Sequence, residues 1–271
     1  MTAVALFQVR VIVRGRWSLV ALAGFALATG VVTLLGLGSF RELGLGAVGP
    51  AAVALLNLAL LLPTAQAVLL GSLTAATDRE TGFFGMLRAR GLGPAALVVT
   101  AWAAVAASAW LTLLVGFAVA ALVLAGNVPL DDMAAFGGLV GVSLAVSAAA
   151  AAVGVFIGIL VRTRLQAALV AVGAWFVLAV GQDLLVVGLG VFLRAGEPAL
   201  LGAILVNPLQ AARVLALLVL DAGGSVLGPL GIYLLERFGY PGSLGLLAGA
   251  ILAWVVAPLA TASYFLARRD L

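Results

Sequence analysis

Residues 134–161 read AAFGGLVGVSLAVSAAAAAVGVFIGILV, and no charge interrupts the run. As a helix rising about 1.5 Å per residue it would extend about 42 Å, more than the roughly 30 Å of hydrocarbon in a bilayer. A stretch so long and so uniformly apolar predicts a transmembrane span. Five more stretches read the same way, at about 17–37, 51–73, 95–125, 165–193 and 243–267. The fold expected is an all-α membrane protein with six transmembrane helices.

The arginines orient those spans. With a cytoplasmic N-terminus the inner segments carry Arg10, Arg14, Arg16, Arg79, Arg88, Arg90, Arg162, Arg164, Arg268 and Arg269, against Arg41, Arg194, Arg213 and Arg237 outside, ten to four. Because every connecting segment is short, the positive-inside rule applies and both termini are expected in the cytoplasm. The acids lean outward, with Glu42, Asp131, Asp132, Glu197, Asp221 and Glu236 outside and Asp78, Glu80 and Asp270 inside. Acids contribute weakly to topology, so they add little to the argument.

Composition removes several function classes. At 65% apolar and 9% charged, the 271 residues form one membrane domain. The net charge of +4 comes from short arginine groups flanking the spans, with no basic face and interleaved aromatics for nucleic acid. Lys, His and Cys are all absent. A phosphate-binding loop with its essential lysine is therefore excluded, as are an imidazole base, a thiolate nucleophile and a zinc site of N/S type. The three methionines, Met1, Met86 and Met133, are too few to line a thioether path for Cu(I), and no metal site is expected. The apolar run after Arg16 outlasts a signal-peptide core, so an uncleaved first helix is expected.

Three connecting segments carry structure of their own. Residues 2–16 predict an interfacial helix, with Arg10 and Arg14 one turn apart on a stripe and Trp17 at the point where the chain turns inward. The inner segment 74–94, TAATDRETGFFGMLRARGLGP, sets Asp78 and Glu80 before Phe83, Phe84 and Leu87 and places Arg88 after them, the charge order of a short helix. Its adjacent phenylalanines suit insertion among headgroups or docking into a groove on a partner. The outer segment 194–242 contains ALLGAILVNPLQAARVLALLVL (199–220), apolar enough to count as a span. Asn207-Pro208 is, however, an N-cap and first-turn pair, and Arg213 at a span centre would cost about 2.5–3.5 kcal/mol. A pair of extracytoplasmic helices is expected there. Gly137 to Gly141 and Gly154 to Gly158 share G-x-x-x-G spacing, which allows close helix approach within the chain or across a dimer.

Among intramembrane polar groups, Asp183 with Gln182 beside it stands out as the acid inside a span. A carboxylate at that depth suits a proton relay or substrate contact, and equally suits pairing with an arginine such as Arg194 or Arg213. Asn57, Gln66, Ser108, Thr112, Ser143 and Ser147 are expected to hydrogen-bond between helices.

Taken in order, an N-terminal interfacial helix, six spans, an E-x-G element at Glu80-Thr81-Gly82 and paired helices before the last span make a pattern, joined by GAWFVLAVGQDLL (173–185), VNPLQAARVLALL (206–218) and the basic ARRDL ending. That pattern resembles the ABC-2 type exporter permeases, and within them is most similar to the membrane subunit of the nitrous oxide reductase maturation transporter. The resemblance implies one permease domain over 1–271, a homodimer, and two cytoplasmic ABC ATPase subunits that bind the ATP and Mg this chain cannot hold. It implies a coupling role for the inner loop, and it allows a lipid-like or hydrophobic cargo or a periplasmic accessory protein. An ion-coupled secondary transporter using Asp183 is the alternative, with an intramembrane enzyme a distant third.

Overall fold

The computed structural model describes residues 2–41, 48–124, 130–188 and 196–268, and no strand occurs among them. Helix α1 (Thr2–Val13) leads into α2 (Arg16–Arg41); α3 (Val48–Glu80), α4 (Phe83–Ala89), α5 (Pro94–Leu124) and α6 (Leu130–Leu160) follow. Helix α7 (Arg164–Phe176) continues through a π-helical turn (Val177–Gly181) into α8 (Gln182–Val187). Helices α9 (Glu197–Leu205) and α10 (Pro208–Leu220), a 3-10 turn (Ser225–Leu227) and α11 (Pro229–Arg268) complete the fold. Six helical segments are long and apolar enough to cross a membrane: Arg16–Gly36, Ala52–Glu80, Pro94–Leu124, Phe136–Leu160, Arg164–Leu185 and Pro229–Arg268. The chain is thus a multi-pass all-α membrane protein, and each long apolar helix overlaps one of the expected stretches. Below, the end of the bundle that carries α4 and Arg164 is called inner, following the arginine count.

Two spans outrun their expected limits. Helix α3 continues past residue 73 to Glu80, because LTAATDRE holds neither Gly nor Pro to stop it. Asp78 and Glu80 consequently sit on the last turn of α3 and not on the first turn of α4. The break comes at Gly82, whose φ of 73° lies in the left-handed region that glycine adopts without steric cost. Helix α11 starts at Pro229, ahead of the expected 243, and is broken at Gly239. The Ser243 hydroxyl donates to the carbonyls of Leu234 at 3.0 Å and Gly239 at 2.8 Å, so the break does not leave them bare.

The segment 199–220 is not one straight helix. It divides at Asn207 into α9 and α10, which meet at a bend of 114°. Asn207 caps α10, accepting from the amides of Leu209 at 2.8 Å and Gln210 at 3.4 Å. The pair is no peripheral appendage, since α10 is buried along most of its length and packs on α6 and α11.

Helix α6 is the hub. In its span 83% of the most apolar stretch is buried, against 12% in the fifth span and 17% in the first, which present their apolar sides outward as lipid-facing helices do. Its closest partner is α3, and the approach depends on absent side chains. A Cβ on Gly154 would lie 2.4 Å from the Val68 carbonyl oxygen, and one on Gly158 would lie 2.3 Å from that of Ser72. The Gly154–Gly158 pair is therefore spent on packing within the chain, while Gly137 and Gly141 face open space. Helix α5 adds two cross-links, its Trp102 and Trp110 indoles each donating at 2.9 Å to the α6 carbonyls of Ala148 and Leu144.

Replacing Gly158 with Leu should force α3 and α6 apart and cost about 3 kcal/mol or more, by overpacking. Gly137→Leu should change stability little. Thermal unfolding of both variants in one detergent checks the contrast.

Candidate functional site

The polar residues of interest collect at the two ends of the bundle. At the inner end, Arg79 and Glu80, adjacent on the last turn of α3, reach in different directions. The Arg79 guanidinium donates to the carbonyls of Ile159, at 2.7 Å, and Val161, closing the C-terminus of α6. Glu80 accepts from the Arg164 amide at 2.7 Å and from its Nε at 2.6 Å, seating a carboxylate on the N-terminus of α7. Thr163 caps the same helix through the Gln166 amide at 3.2 Å, and Gln166 Oε1 accepts from Arg162 N at 3.1 Å. Two residues of one helix thus hold the end of one neighbour and the start of the next. The E-x-G element is where α3 is fastened to α6 and α7 and where the chain then reverses into α4.

Helix α4 is set into the bundle. Phe84 is 0% exposed and Leu87 3%, packed with Leu97 and Ala101 of α5, Val155 and Ile159 of α6, and Ala262 and Leu266 of α11. This corrects the expectation that Phe83, Phe84 and Leu87 all face lipid or a partner. Phe84 and Leu87 are interior anchors, Phe83 is half-buried, and Arg88 is partly exposed. The outward face of α4 and its turns is instead Thr81, Met86, Ala89 and Arg90. Two apolar side chains a helical turn apart were legible as a face, but nothing local tells a core from an interface. Asp78 turns sideways to α1, accepting from Gln8 Nε2 at 2.9 Å. That tie between α1 and α3 had no sequence signal beyond two polar residues.

At the outer end, the two quoted segments 173–185 and 206–218 meet. Asp183 Oδ1 accepts from Arg213 Nη1 at 2.8 Å and also from Gln210 Nε2. Asn207, besides capping α10, donates from Nδ2 to the Leu178 carbonyl at 2.7 Å, inside the π turn. A π turn pairs carbonyls one residue further along than an α-helix does, and such turns recur at functional sites. Pro208 occupies the first turn of α10, where its missing N–H costs nothing. The side chain of Gln182 and all of Arg194 lie outside the described residues.

Of the pairing and proton-relay alternatives for Asp183, the geometry favours pairing. The carboxylate and guanidinium are each partly exposed, 46% and 31% by side chain. Asp183 lies nineteen residues beyond Arg164, about 28 Å along the helix, in the outer part of a hydrocarbon layer of about 30 Å. Beyond the pair, Asp221 accepts from Ser225 Oγ at 2.7 Å, Val226 N at 3.0 Å and Gly223 N at 3.1 Å, which together tie off the turn into α11. Those bonds, the Ser225 hydroxyl first, hold the Asp221 carboxyl below its usual range.

Among the described residues no group of His, Cys, Asp or Glu could hold a metal ion. Compared with protein-family models the chain matches none, and it matches no curated protein either.

A double-mutant cycle over Asp183→Asn and Arg213→Gln should reveal coupling of about 0.5–3 kcal/mol, the double variant losing less than the sum of the singles. Chemical unfolding in detergent micelles supplies the free energies, and strict additivity would mean the pair contributes nothing.

Proposed function

We propose that this chain is the permease subunit of an ATP-driven ABC-2 type exporter, inserted in a cell membrane with both termini cytoplasmic and worked by a separate ATPase at its inner end. The observation that carries this reading is α4. A seven-residue helix, locked by Phe84 and Leu87 to three long helices, presents Met86, Ala89 and Arg90 outward. A push on that face is delivered to α3 and α5, against which α4 lies, and through the Arg79–Glu80 fastening to α6 and α7. A chain with no lysine needs its nucleotide-driven motor on another subunit.

The other features of the exporter pattern are compatible with this. A leading helix docks on α5, and an angled pair precedes the last span. The homodimer with two ATPase subunits follows from the resemblance. The ion-coupled alternative loses ground at Asp183, because that carboxylate is already engaged by Arg213 and Gln210.

The test pairs the chain with the ABC ATPase encoded nearest to it. Met86→Glu with Arg90→Glu should cut co-purification of that ATPase at least about tenfold without lowering expression, since truncating interface anchors costs upward of 1 kcal/mol each. Phe84→Ala should instead lower the yield of folded protein, by about 3–5 kcal/mol of stability. Asp183→Asn should leave ATP-driven transport in proteoliposomes largely intact. Transport that needs no ATPase and disappears with the proton gradient and with Asp183→Asn would replace the exporter by the carrier.

A further inference from the structure

A cavity of about 190 Å³ lies at the inner end of the bundle, walled mainly by Gln8, Val11 and Ile12 of α1, Asp78 of α3, and Thr81 and Phe83 where α3 gives way to α4. It sits near the corner at which α1 turns into α2. Val11 is 55% exposed there and Trp17 70%, apolar side chains suited to the headgroup layer. A cavity of roughly 150 Å³ accepts benzene, so this one has room for an aminoethyl group.

The charge on this wall has no counterpart. Glu80 and Asp183 pair with Arg164 and Arg213, whereas no ion pair among the described residues includes Asp78, which is only partly exposed. Asp78 Oδ2 accepts from Gln8 Nε2 at 2.9 Å. Its Oδ1 accepts nothing among the described residues and, unlike Gln8 Oε1, is not enclosed by protein. The nearest arginines in sequence are directed elsewhere. Arg79 holds the end of α6, and Arg10, two residues from Gln8, stands about 200° round α1 from it, exposed like Arg14. A carboxylate held partly out of water without an opposite charge carries a free-energy cost that a bound cation would remove.

The other walls select the kind of cation. A divalent metal takes six or more oxygens, whereas here one carboxylate stands among Val11, Ile12 and Phe83, a setting for an organic cation. The Thr81 hydroxyl donates to the Thr77 carbonyl at 2.8 Å, which leaves its lone pairs to accept. Phe83 adds an aromatic ring, whose face attracts ammonium ions. We infer that the cavity holds the primary ammonium of an ethanolamine phospholipid of the inner leaflet, its N–H groups donating to Asp78 Oδ1 and Thr81 Oγ1. The phosphate stays at headgroup level, where α1 exposes Arg10 and Arg14. A choline headgroup, with no N–H to donate, lacks those bonds. The bound lipid adds a second tie between α1 and α3 beside the Gln8–Asp78 bond. The site belongs to this chain whether or not an ATPase drives it.

The experiment is native mass spectrometry of the full chain in detergent micelles holding equal amounts of dioleoyl phosphatidylethanolamine and dioleoyl phosphatidylcholine. The ethanolamine lipid should be retained about tenfold over the choline lipid, the advantage of charge-assisted hydrogen bonds. Both lipids are zwitterionic, so net charge does not separate them. Asp78→Asn keeps an acceptor for Gln8 Nε2 but removes the charge, and should erase the preference. Val11→Trp, a change at an exposed position, should erase it too by filling the cavity. Both variants should unfold at the temperature of the unmodified chain. Glycerophosphoethanolamine, the same headgroup without acyl chains, should not displace the lipid at equal concentration. Equal retention of the two lipids, or a preference that survives in either variant, overturns the site; displacement by the soluble headgroup overturns the lipid as its source.

Discussion

Between helices in a bilayer the hydrophobic effect supplies almost no attraction, because lipid tails are as apolar as leucine; what remains is contact at short range. The fold depends on how that contact is made at α3 and α6. Gly154 and Gly158 bring the α6 backbone against the carbonyls of Val68 and Ser72 on α3. Once those two axes are joined, α5 attaches through Trp102 and Trp110, and α10 and α11 fill the remaining sides of α6. The first and fifth spans are left at the rim, consistent with their lipid-facing leucines and valines.

Charge is managed at the ends of this framework. Arg79, Glu80, Arg164, Asp183 and Arg213 each engage a helix terminus or an opposite charge. The inner set fastens α3 to its neighbours where α4 is mounted; the outer set fastens α10 to α8. Both α4 and α10 are short helices outside the six spans, and both are bound more tightly than their position in loops suggests.

The spans were legible because their signal is one of length and charge, which packing cannot overturn. Asn207-Pro208 was legible because a cap is written in two adjacent residues, and the split between α9 and α10 falls there. Other features depend on residues distant in sequence. Phe84 looks alike whether it meets Leu97 and Ala262 or a second protein, and the 74–94 segment alone could not decide. That Asp183 meets Gln210 and Arg213 could not be read locally, because its partners lie 27 and 30 residues away in sequence. The π turn at Val177–Gly181 has no local signature in VLAVG; it becomes intelligible only beside Asn207.

That last contact has a mechanical consequence. In the π turn the Leu178 oxygen takes a donor from a side chain on a different element. Pulling α10 away from the fifth span would break that bond and expose a main-chain oxygen to hydrocarbon, together with one member of a charge pair. The bare carbonyl alone would cost several kcal/mol in lipid. The α9–α10 elbow is consequently held to the fifth span by a main-chain contact as well as by a charge pair, so that the two cannot part without a penalty in both.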